Sequence, residues 1–492
     1  MAAAVMPRAL IDVLARVHQF MQQRRMSCYL VGGVLRDQLL GRPLAYLNAD
    51  LAVPSQAIAL AEALASHLGG AFVRLDDDAG SARVVVSVED QRVELDLNDF
   101  RGPSLEADLA RRDFTINAMA VALADWLRRP DAPAPIIDPL QGRHALARGV
   151  LRACFPETFE ADAVRILRAV RFAAQLPCAL DASLEPLMRR AVPRLSAIAG
   201  ERVRDELLAA VETDRAHGAI QMLNTVGALD VLMPELVQGR GVDQGDFHHL
   251  DVLGHQIETL AQADRFLAAF AEFSEPLRAP LADYCRQSLV ERRSRKSLIK
   301  LSGLLHDIGK PARRAVHPDG EIWFLGHEQV GAELVQGVLE RLRLSNREAL
   351  MVTQLIRHHL RPGFLSREPQ LTRRAVYRFF KELGEDGPAC LLMWWADRMA
   401  TRGSKSRLDQ VDQQRARLEE LLGAYFFQAE AVVAPPRLVD GRRLMQAFGL
   451  SPGPLIGELL GAIEEAQAEG RVGNESEALA FAQAHLEQRG PG

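Results

Sequence analysis

Cysteine is scarce in this chain, and its placement carries no pattern. The five cysteines among 492 residues are scattered, odd in number and never spaced as CxxC. That excludes a zinc knuckle and a disulfide framework and leaves them as core thiols. Long apolar runs are missing too. No stretch reaches the roughly 20 residues that a bilayer-spanning helix needs, and Met1 to Met26 lacks a signal-peptide cleavage pattern, so a cytoplasmic protein without a membrane partner is expected. An excess of positive charge is also absent: 59 Lys and Arg stand against 64 Asp and Glu, for a net charge of −5. The chain as a whole therefore exerts no pull on a polyanion. RNA contact would need local basic patches, of which Glu291 to Lys300 is one. Internal repeats and low-complexity tracts are absent. What remains is ordinary globular composition, 48% hydrophobic and 25% charged, in a chain too long for one core. Three or four domains are expected.

The stretch that organises the rest is Cys28 to Pro54, CYLVGGVLRDQLLGRPLAYLNADLAVP. Tyr29 to Val31 reads as a buried strand, Gly32-Gly33 as a tight turn, and Val34 to Leu40 as a short helix closed by Gly41. A helix N-terminus behind two glycines suits a phosphate, because its amides are free and no side chain blocks the approach. Arg36 adds a positive charge. A second strand, Leu47 to Val53, carries Asn48 and Asp50. Residues two apart on a strand share a face, so the two side chains can converge on one cation.

The run LVGGVLRDQLLGRP resembles the signature of class II tRNA nucleotidyltransferases and bacterial poly(A) polymerases, in which Gly-Gly-x-Val-Arg-Asp precedes an Asp-x-Asp metal motif. Leu35 replaces the Val, the spacer after Gly41 is two residues longer, and Asn48 replaces the first metal-binding Asp. An amide oxygen can ligate Mg²⁺ but brings no negative charge. The flanking pattern is helix at Ala9 to Gln22 and Gln56 to Leu68, and strand at Ala71 to Arg74, Ala82 to Val88 and Arg92 to Asn98. It reads as a small mixed sheet with helices.

The resemblance continues along the chain. On the last strand, VELDLNDFRG, Asp96 matches the family's third carboxylate, whose chemical use is to help hold two Mg²⁺ ions. DLARRDFTINAMA, Asp108 to Ala120, matches the Arg-Arg-Asp-Phe-Thr-x-Asn motif. Arg111 and Arg112 offer forks to phosphate oxygens, and Asp113 and Asn117 would share a face if the run is helical. Asp138 to Leu146 resembles a connector motif, with Gln141 and Ala145 at positions usually Gly and Asp, after a Pro-rich loop at Pro130 to Pro139. From Phe159 the chain reads as wholly helical. FEADAVRILRAVRFAAQL resembles the Glu-Asp-x-x-Arg motif that reads the incoming base, with Asp162 and Arg165 matching and Ala161 in place of Glu. Three apart on a helix, the two would present an acceptor and a donor fork together. Gly200 to Glu212 looks like the following neck helix.

Beyond Val242 the pattern changes to separated histidines: GDFHHLDVLGHQ, LLHDIGKP, LGHEQV, LIRHHLRP and MWWADRM. This order resembles the HD phosphohydrolase superfamily. Carried over by position, His255, His306, Asp307 and Asp397 are the implied core ligands, and His327, His358 and His359 the residues able to hold a second metal. Imidazole and carboxylate suit Mn, Ni, Co, Fe or Zn. Lys310 would stand near the leaving phosphate. His248 and Asp251 would cap and orient the helix that presents His255. Arg437 to Val472 resembles the C-terminal helical segment of HD-bearing nucleotidyltransferases, with Leu455, Leu459, Leu460 and Ile463 on one apolar face.

The resemblance thus implies an α+β nucleotidyltransferase palm followed by all-α neck, HD and tail domains. The expected spans are 1–146 for the palm, 147–240 for a neck that selects the base and binds RNA, 241–404 for the HD domain and 405–492 for an RNA-facing tail. The implied activity is template-independent addition of C and/or A from CTP and ATP to the 3′ end of tRNA, coupled to an HD phosphohydrolase. Mg²⁺ would be held by Asp50 and Asp96 with Asn48 assisting. Gly32, Gly33, Arg36, Arg112, Asp113 and Asn117 would hold the nucleotide, and Asp162 with Arg165 would choose the base. The alternative is a degenerate transferase serving as an RNA-binding scaffold for an active HD phosphodiesterase.

Overall fold

Strands within the first hundred residues supply five of the six strands of a sheet, and a short strand after residue 119 supplies the sixth. In the computed structural model, which describes residues 6–44, 46–130, 135–290 and 293–488, the strands are β1 (Tyr29–Val31), β2 (Leu47–Val53), β3 (Ala71–Asp76), β4 (Ser81–Val88), β5 (Gln91–Asp99) and β6 (Ala120–Ala122). They lie in the order β3-β4-β5-β2-β1-β6. Only β2 and β5 pair in parallel, with Asp50 opposite Asp96; the other neighbours are antiparallel. The helices before β3 are α1 (Arg8–Gln23), α2 (Gly33–Leu40) and α3 (Ala57–Leu68).

Alternation decides which face is buried. Ala49, Leu51 and Val53, Val93, Leu95 and Leu97, and Ala82, Val84 and Val86 join the core under Leu10, Leu14 and Phe20 of α1 and Leu60 and Leu64 of α3. A fully buried Leu here contributes on the order of 1.5–3 kcal/mol. The intervening residues Asn48, Asp50, Glu94, Asp96 and Arg83 therefore share the opposite face. At the β1–β6 end that face is closed by a second apolar cluster, with Leu105 and Leu109 of α4 (Leu105–Leu109) against Val31, Ala52, Ala118 and Ala120.

The chain divides into two compact units, one reaching to Ile198 with Val226–Ala228, the other comprising Ala199–Thr225 and Leu229 onward. The second is helical, with helices Gly200–Val211, Val252–Leu267, Arg295–Leu305, His327–Arg341, Asn346–His358 and Gly387–Ala400 among them. Near its end, helices Gly441–Phe448, Pro454–Ala468 and Glu475–Gln488 bury Leu444, Leu459, Ile463, Ala478 and Ala482, with Leu455 and Leu460 packed at the margin.

The expectation of a wholly helical chain after Phe159 needs correction. Ala179–Leu180 pairs in parallel with Val150–Leu151, Ser288–Val290 pairs with Arg293–Ser294, and Ala315–Val316 with Ile322–Trp323. These pieces are too short to show period-two alternation. The basic run Glu291 to Lys300 is not an RNA-facing patch. Its first two residues lie outside the described ones, Arg295 and Lys300 are buried, and Arg293, Arg295, Lys296 and Lys300 pair with Glu348, Asp386, Asp214 and Asp264. Of the Pro130–Pro139 loop, residues 131–134 lie outside the described ones. All five cysteines are free thiols, and burial pushes Cys28, Cys285 and Cys390 up to about 12. Among the described residues no helix is long and apolar enough to cross a membrane.

Candidate functional sites

The first site lies where the Gly32-Gly33 turn meets the carboxylates of β2 and β5. Gly32 holds φ +74°, and a Cβ there would stand 2.9 Å from Asp50 Oδ2, so both the conformation and the space require glycine. β1 sets Val31 beside Asp50, which brings the first amides of α2 to the carboxylate's end of β2. Burial, then the charge of Asp96, raise the pKa of Asp50 above its ordinary value, against Arg112 and Arg168. No hydrogen bond among the described residues relieves it. A buried-side carboxylate with no donor, beside a second carboxylate, fits a bound cation. Asn48 lies on the same face two residues earlier and is exposed.

Asp96 is already paired. Arg83 on β4 grips it with both arms, Nε to Oδ1 at 2.6 Å and Nη2 to Oδ2 at 2.9 Å, while its Nη1 stands 3.1 Å from the buried Glu94. Neither Arg83 nor Glu94 is among the residues singled out from sequence. The signal was the lone Arg in SARVVVSV, which the β4–β5 hairpin register sets opposite Asp96.

The three nucleotide motifs, far apart in sequence, form one hydrogen-bonded chain. Arg36 Nη1 donates to Asn117 Oδ1 at 2.8 Å and its other arms to Asp37. Asn117 donates to Asp113 Oδ1 at 3.2 Å, and Arg168 Nη1 reaches Asp113 Oδ2 at 3.3 Å. The Arg36 guanidinium lies 5.0 Å from the centre of the Phe172 ring. Burial would raise Asp113, but Arg168, the Phe114 amide and Asn117 together hold it below the ordinary range. Arg168, one helical turn beyond Arg165, was not picked out from sequence. The shared-helix expectation for Asp113 and Asn117 is corrected: the link is made across a turn and a 3₁₀ segment, Thr115–Asn117. Arg112 is held by Asp108 at 2.9 Å and Arg111 by the carbonyl of Arg101.

Asp162 and Arg165 do not share a helix. Asp162 is extended in the turn before the helix Arg165–Gln175, its carboxylate accepting from the Val164 amide at 3.3 Å. Arg165 is buried and donates to Thr158 Oγ1 at 2.9 Å.

The second site assembles five segments of the helical unit. His255 Nε2 stands 2.9 Å from Asp397 Oδ1, and His306 Nε2 stands 3.1 Å from Asp307 Oδ2. His327 Nε2 lies 3.1 Å from Asp307 Oδ1 and 3.1 Å from His359 Nε2. His306, His327 and His359 each use Nδ1 on a backbone carbonyl three residues back, at 2.7–2.8 Å, which turns Nε2 inward as a lone pair. Ligand atoms of His255, His306 and Asp307 lie within 4.8 Å of one another, as do those of Asp307, His327 and His359, so Asp307 can bridge two ions. His306 Nε2 is buried and makes no hydrogen bond of good geometry among the described residues. This donor set fits a pair of transition-metal ions.

His358 is corrected: its Nε2 faces Glu382 at 3.5 Å, outside the cluster. Lys310 is not presented to an open space. Its ammonium is held by Asp307 Oδ2 at 2.6 Å and by Gln244 Oε1 at 2.7 Å. Asp251 caps the helix of His255 through the Gly254 amide at 2.7 Å, and the His248 ring packs 4.5 Å from that of His255.

Comparison with known proteins gives three family matches: "Poly A polymerase head domain" over residues 28–152, "Probable RNA and SrmB- binding site of polymerase A" over 179–238, and "tRNA nucleotidyltransferase domain 2 putative" over 317–482. The chain is 38% identical to the A-adding tRNA nucleotidyltransferase of Deinococcus radiodurans, over 93% of this chain and 95% of that protein. It is 33% identical to the CC-adding tRNA nucleotidyltransferase of Thermus thermophilus, over 92% and 93% of the two chains. Its fold is similar to that of the Thermotoga maritima CCA-adding enzyme complexed with tRNA, with a TM-score of 0.61 and 21% identity over 98% of this chain and 96% of that one.

Proposed function

The chain belongs to the tRNA nucleotidyltransferase family, and from that premise we propose that it adds C and/or A, from CTP and ATP, to the 3′ end of tRNA without a nucleic-acid template. The observation that carries this reading is Asp50, a carboxylate without a donor, opposite Asp96 and beneath the Gly32-Gly33 turn. The RNA 3′-hydroxyl oxygen bonds to the α-phosphorus of the nucleotide, and the bond to the β-phosphate bridging oxygen breaks to release pyrophosphate. Asp50 and Asp96, with the Asn48 amide oxygen, would hold Mg²⁺, which would supply positive charge for the attacking hydroxyl and the leaving pyrophosphate.

The chain's own residues position the reactants. Gly32 and Gly33 let the triphosphate approach the amides of α2. Arg36, fixed by Asp37 and Asn117, keeps donors to spare for phosphate oxygens. Asp113 and Asn117, linked to Arg36 and Arg168 in one hydrogen-bonded chain, and Arg112, held by Asp108, hold the nucleotide. Asp162 and Arg165, presented by a turn and a helix start, read the base edge. The two relatives named above, each aligned over more than nine-tenths of this chain, are an A-adding and a CC-adding enzyme. Offering labelled CTP and ATP separately to tRNA with a shortened 3′ end tests the reading. Incorporation of either supports it, and incorporation of neither contradicts it.

A second reading rests on the histidine–aspartate cluster: a metal-dependent phosphohydrolase in the same chain. His255, His306, Asp307 and Asp397 would hold one ion, and Asp307, His327 and His359 another, from among Mn, Ni, Co, Fe and Zn. Such ions supply a water activated for attack on a phosphoester. Hydrolysis of 2′,3′-cyclic or 2′-phosphates by metal-loaded native chain, lost in Asp307→Ala, tests it. The proposed division of labour is palm 1–146, base selection and RNA binding 147–240, hydrolase 241–404 and an RNA-facing tail 405–492, at work in the cytoplasm.

A further inference from the structure

A cavity of about 440 Å³ in the helical unit is lined by Phe247, Arg367, Trp394, Arg398, Arg407 and Gln414 among others. Its lining holds three arginines and no acidic residue; of the three, Arg407 pairs with Asp409 at 3.4 Å just outside the lining. The hydrogen bonds of Arg398 go to neutral acceptors, Nε to Gln414 Oε1 at 2.6 Å and Nη2 to the Arg407 carbonyl at 2.7 Å, which orient its guanidinium, while Asp397 and Asp409 act on it only through their charge. Arg367 is exposed and makes no ion pair or side-chain hydrogen bond among the described residues. Phe247 is 53% exposed, an unusual state for an aromatic ring in a loop that backbone bonds to Gly403 and Lys405 hold in place.

The cavity is built from the elements that carry the cluster. Trp394 and Arg398 lie within one turn of Asp397 on the helix Gly387–Ala400. Phe247 precedes His248, whose ring packs on His255. Arg367 follows the short helix Arg361–Leu365, which begins two residues after His359. Guanidinium forks suit phosphate oxygens, and an exposed ring suits a nucleobase.

We propose that this cavity is the recognition pocket of the histidine–aspartate centre and that it takes a nucleoside bearing a ribose phosphate, the phosphate on the arginines and the base on Phe247. The proposal rests on the phosphohydrolase reading for its chemistry, while the pocket stands on its own geometry. Full-length chain loaded with Mn²⁺ is assayed on adenosine 2′,3′-cyclic phosphate, comparing native with Arg367→Ala and Phe247→Ala. AMP binding is followed in parallel by tryptophan fluorescence, with Trp394→Phe separating this pocket from nucleotide bound elsewhere. Each surface variant is expected to raise KM about tenfold, the size of one lost charge-assisted contact or stacked base, with kcat little changed. A saturable quench by AMP should vanish in Trp394→Phe and weaken in Arg367→Ala. Hydrolysis with KM unchanged in both surface variants overturns the pocket and leaves the hydrolase standing. A Trp394-dependent quench without hydrolysis supports the pocket and overturns the hydrolase, and neither signal overturns both. Repeating the assay on an oligonucleotide ending in the same cyclic phosphate identifies the source: a lower KM than the mononucleotide assigns an RNA 3′ end, an equal or higher one a free nucleotide.

Discussion

Asp50 accepts no hydrogen bond among the described residues, with Arg112 and Arg168 acting on it only through their charge, and its neighbour Asp96 accepts from Arg83 through both oxygens. With Asn48 uncharged, the cation site has fewer anionic oxygens than its motif usually supplies. Asn48→Asp is therefore expected to lower the Mg²⁺ concentration for half-maximal nucleotide addition on the order of tenfold, one charge-assisted contact's worth, as read from a Mg²⁺ titration. A second expectation concerns Asp113. Its lowered folded pKa contributes stability that is present above the unfolded value of about 3.9 and lost as pH falls through the folded one. Asp113→Asn should unfold at lower urea than the native chain at pH 7, and the gap should close below about pH 4. Motif spacing made Gly32, Asp50, Asp96, Asp113 and Asn117 legible, because a motif records residues that act together. Arg83 and Glu94 were not legible, since their roles exist only once β4 and β5 are in register. His358 and His359 looked equivalent because adjacent residues of a helix point about 100° apart, and sequence alone does not say which one faces inward.

At the scale of elements, β1 to β5 and the helices α1 to α3 came within a residue or two of their expected bounds, whereas β6 (Ala120–Ala122), too short to show a period, was not expected. The segments around Asp113–Asn117 and Asp162–Arg165 read as helix from the sequence, whereas bonds to the carboxylates of Asp113 and Asp162 from nearby amides accompany turns there. Two element ends carry predictions. Gly32→Ala places a side chain in the left-handed region, at about 1–2 kcal/mol, and pushes its Cβ to 2.9 Å from Asp50 Oδ2. KM for the nucleotide should rise and kcat fall, while far-ultraviolet circular dichroism stays native. Asp251→Ala removes the cap of the helix that carries His255, at about 1 kcal/mol. Metal bound per chain, measured by mass spectrometry after dialysis, should drop, and Asp251→Asn should largely restore it.

The molecule comprises two units, each with its own core and its own site. Unfolding is expected in two calorimetric steps. Added Mn²⁺ should raise only the step of the histidine–aspartate unit, by about 2.7 kcal/mol at a hundredfold excess over the dissociation constant, and Asp307→Ala should abolish that shift. A single transition, or a shift of both, would contradict the assignment of the ions to that unit. The central claim lies in the other unit: one sheet face carrying Asp50 and Asp96 performs nucleotidyl transfer. Its most direct test is incorporation of labelled CTP or ATP into tRNA lacking its 3′ end, by the native chain and by Asp50→Ala. The account predicts incorporation by the native chain and none by Asp50→Ala. Incorporation that survives in Asp50→Ala, or a native chain inactive until Asn48→Asp restores it, would contradict the account.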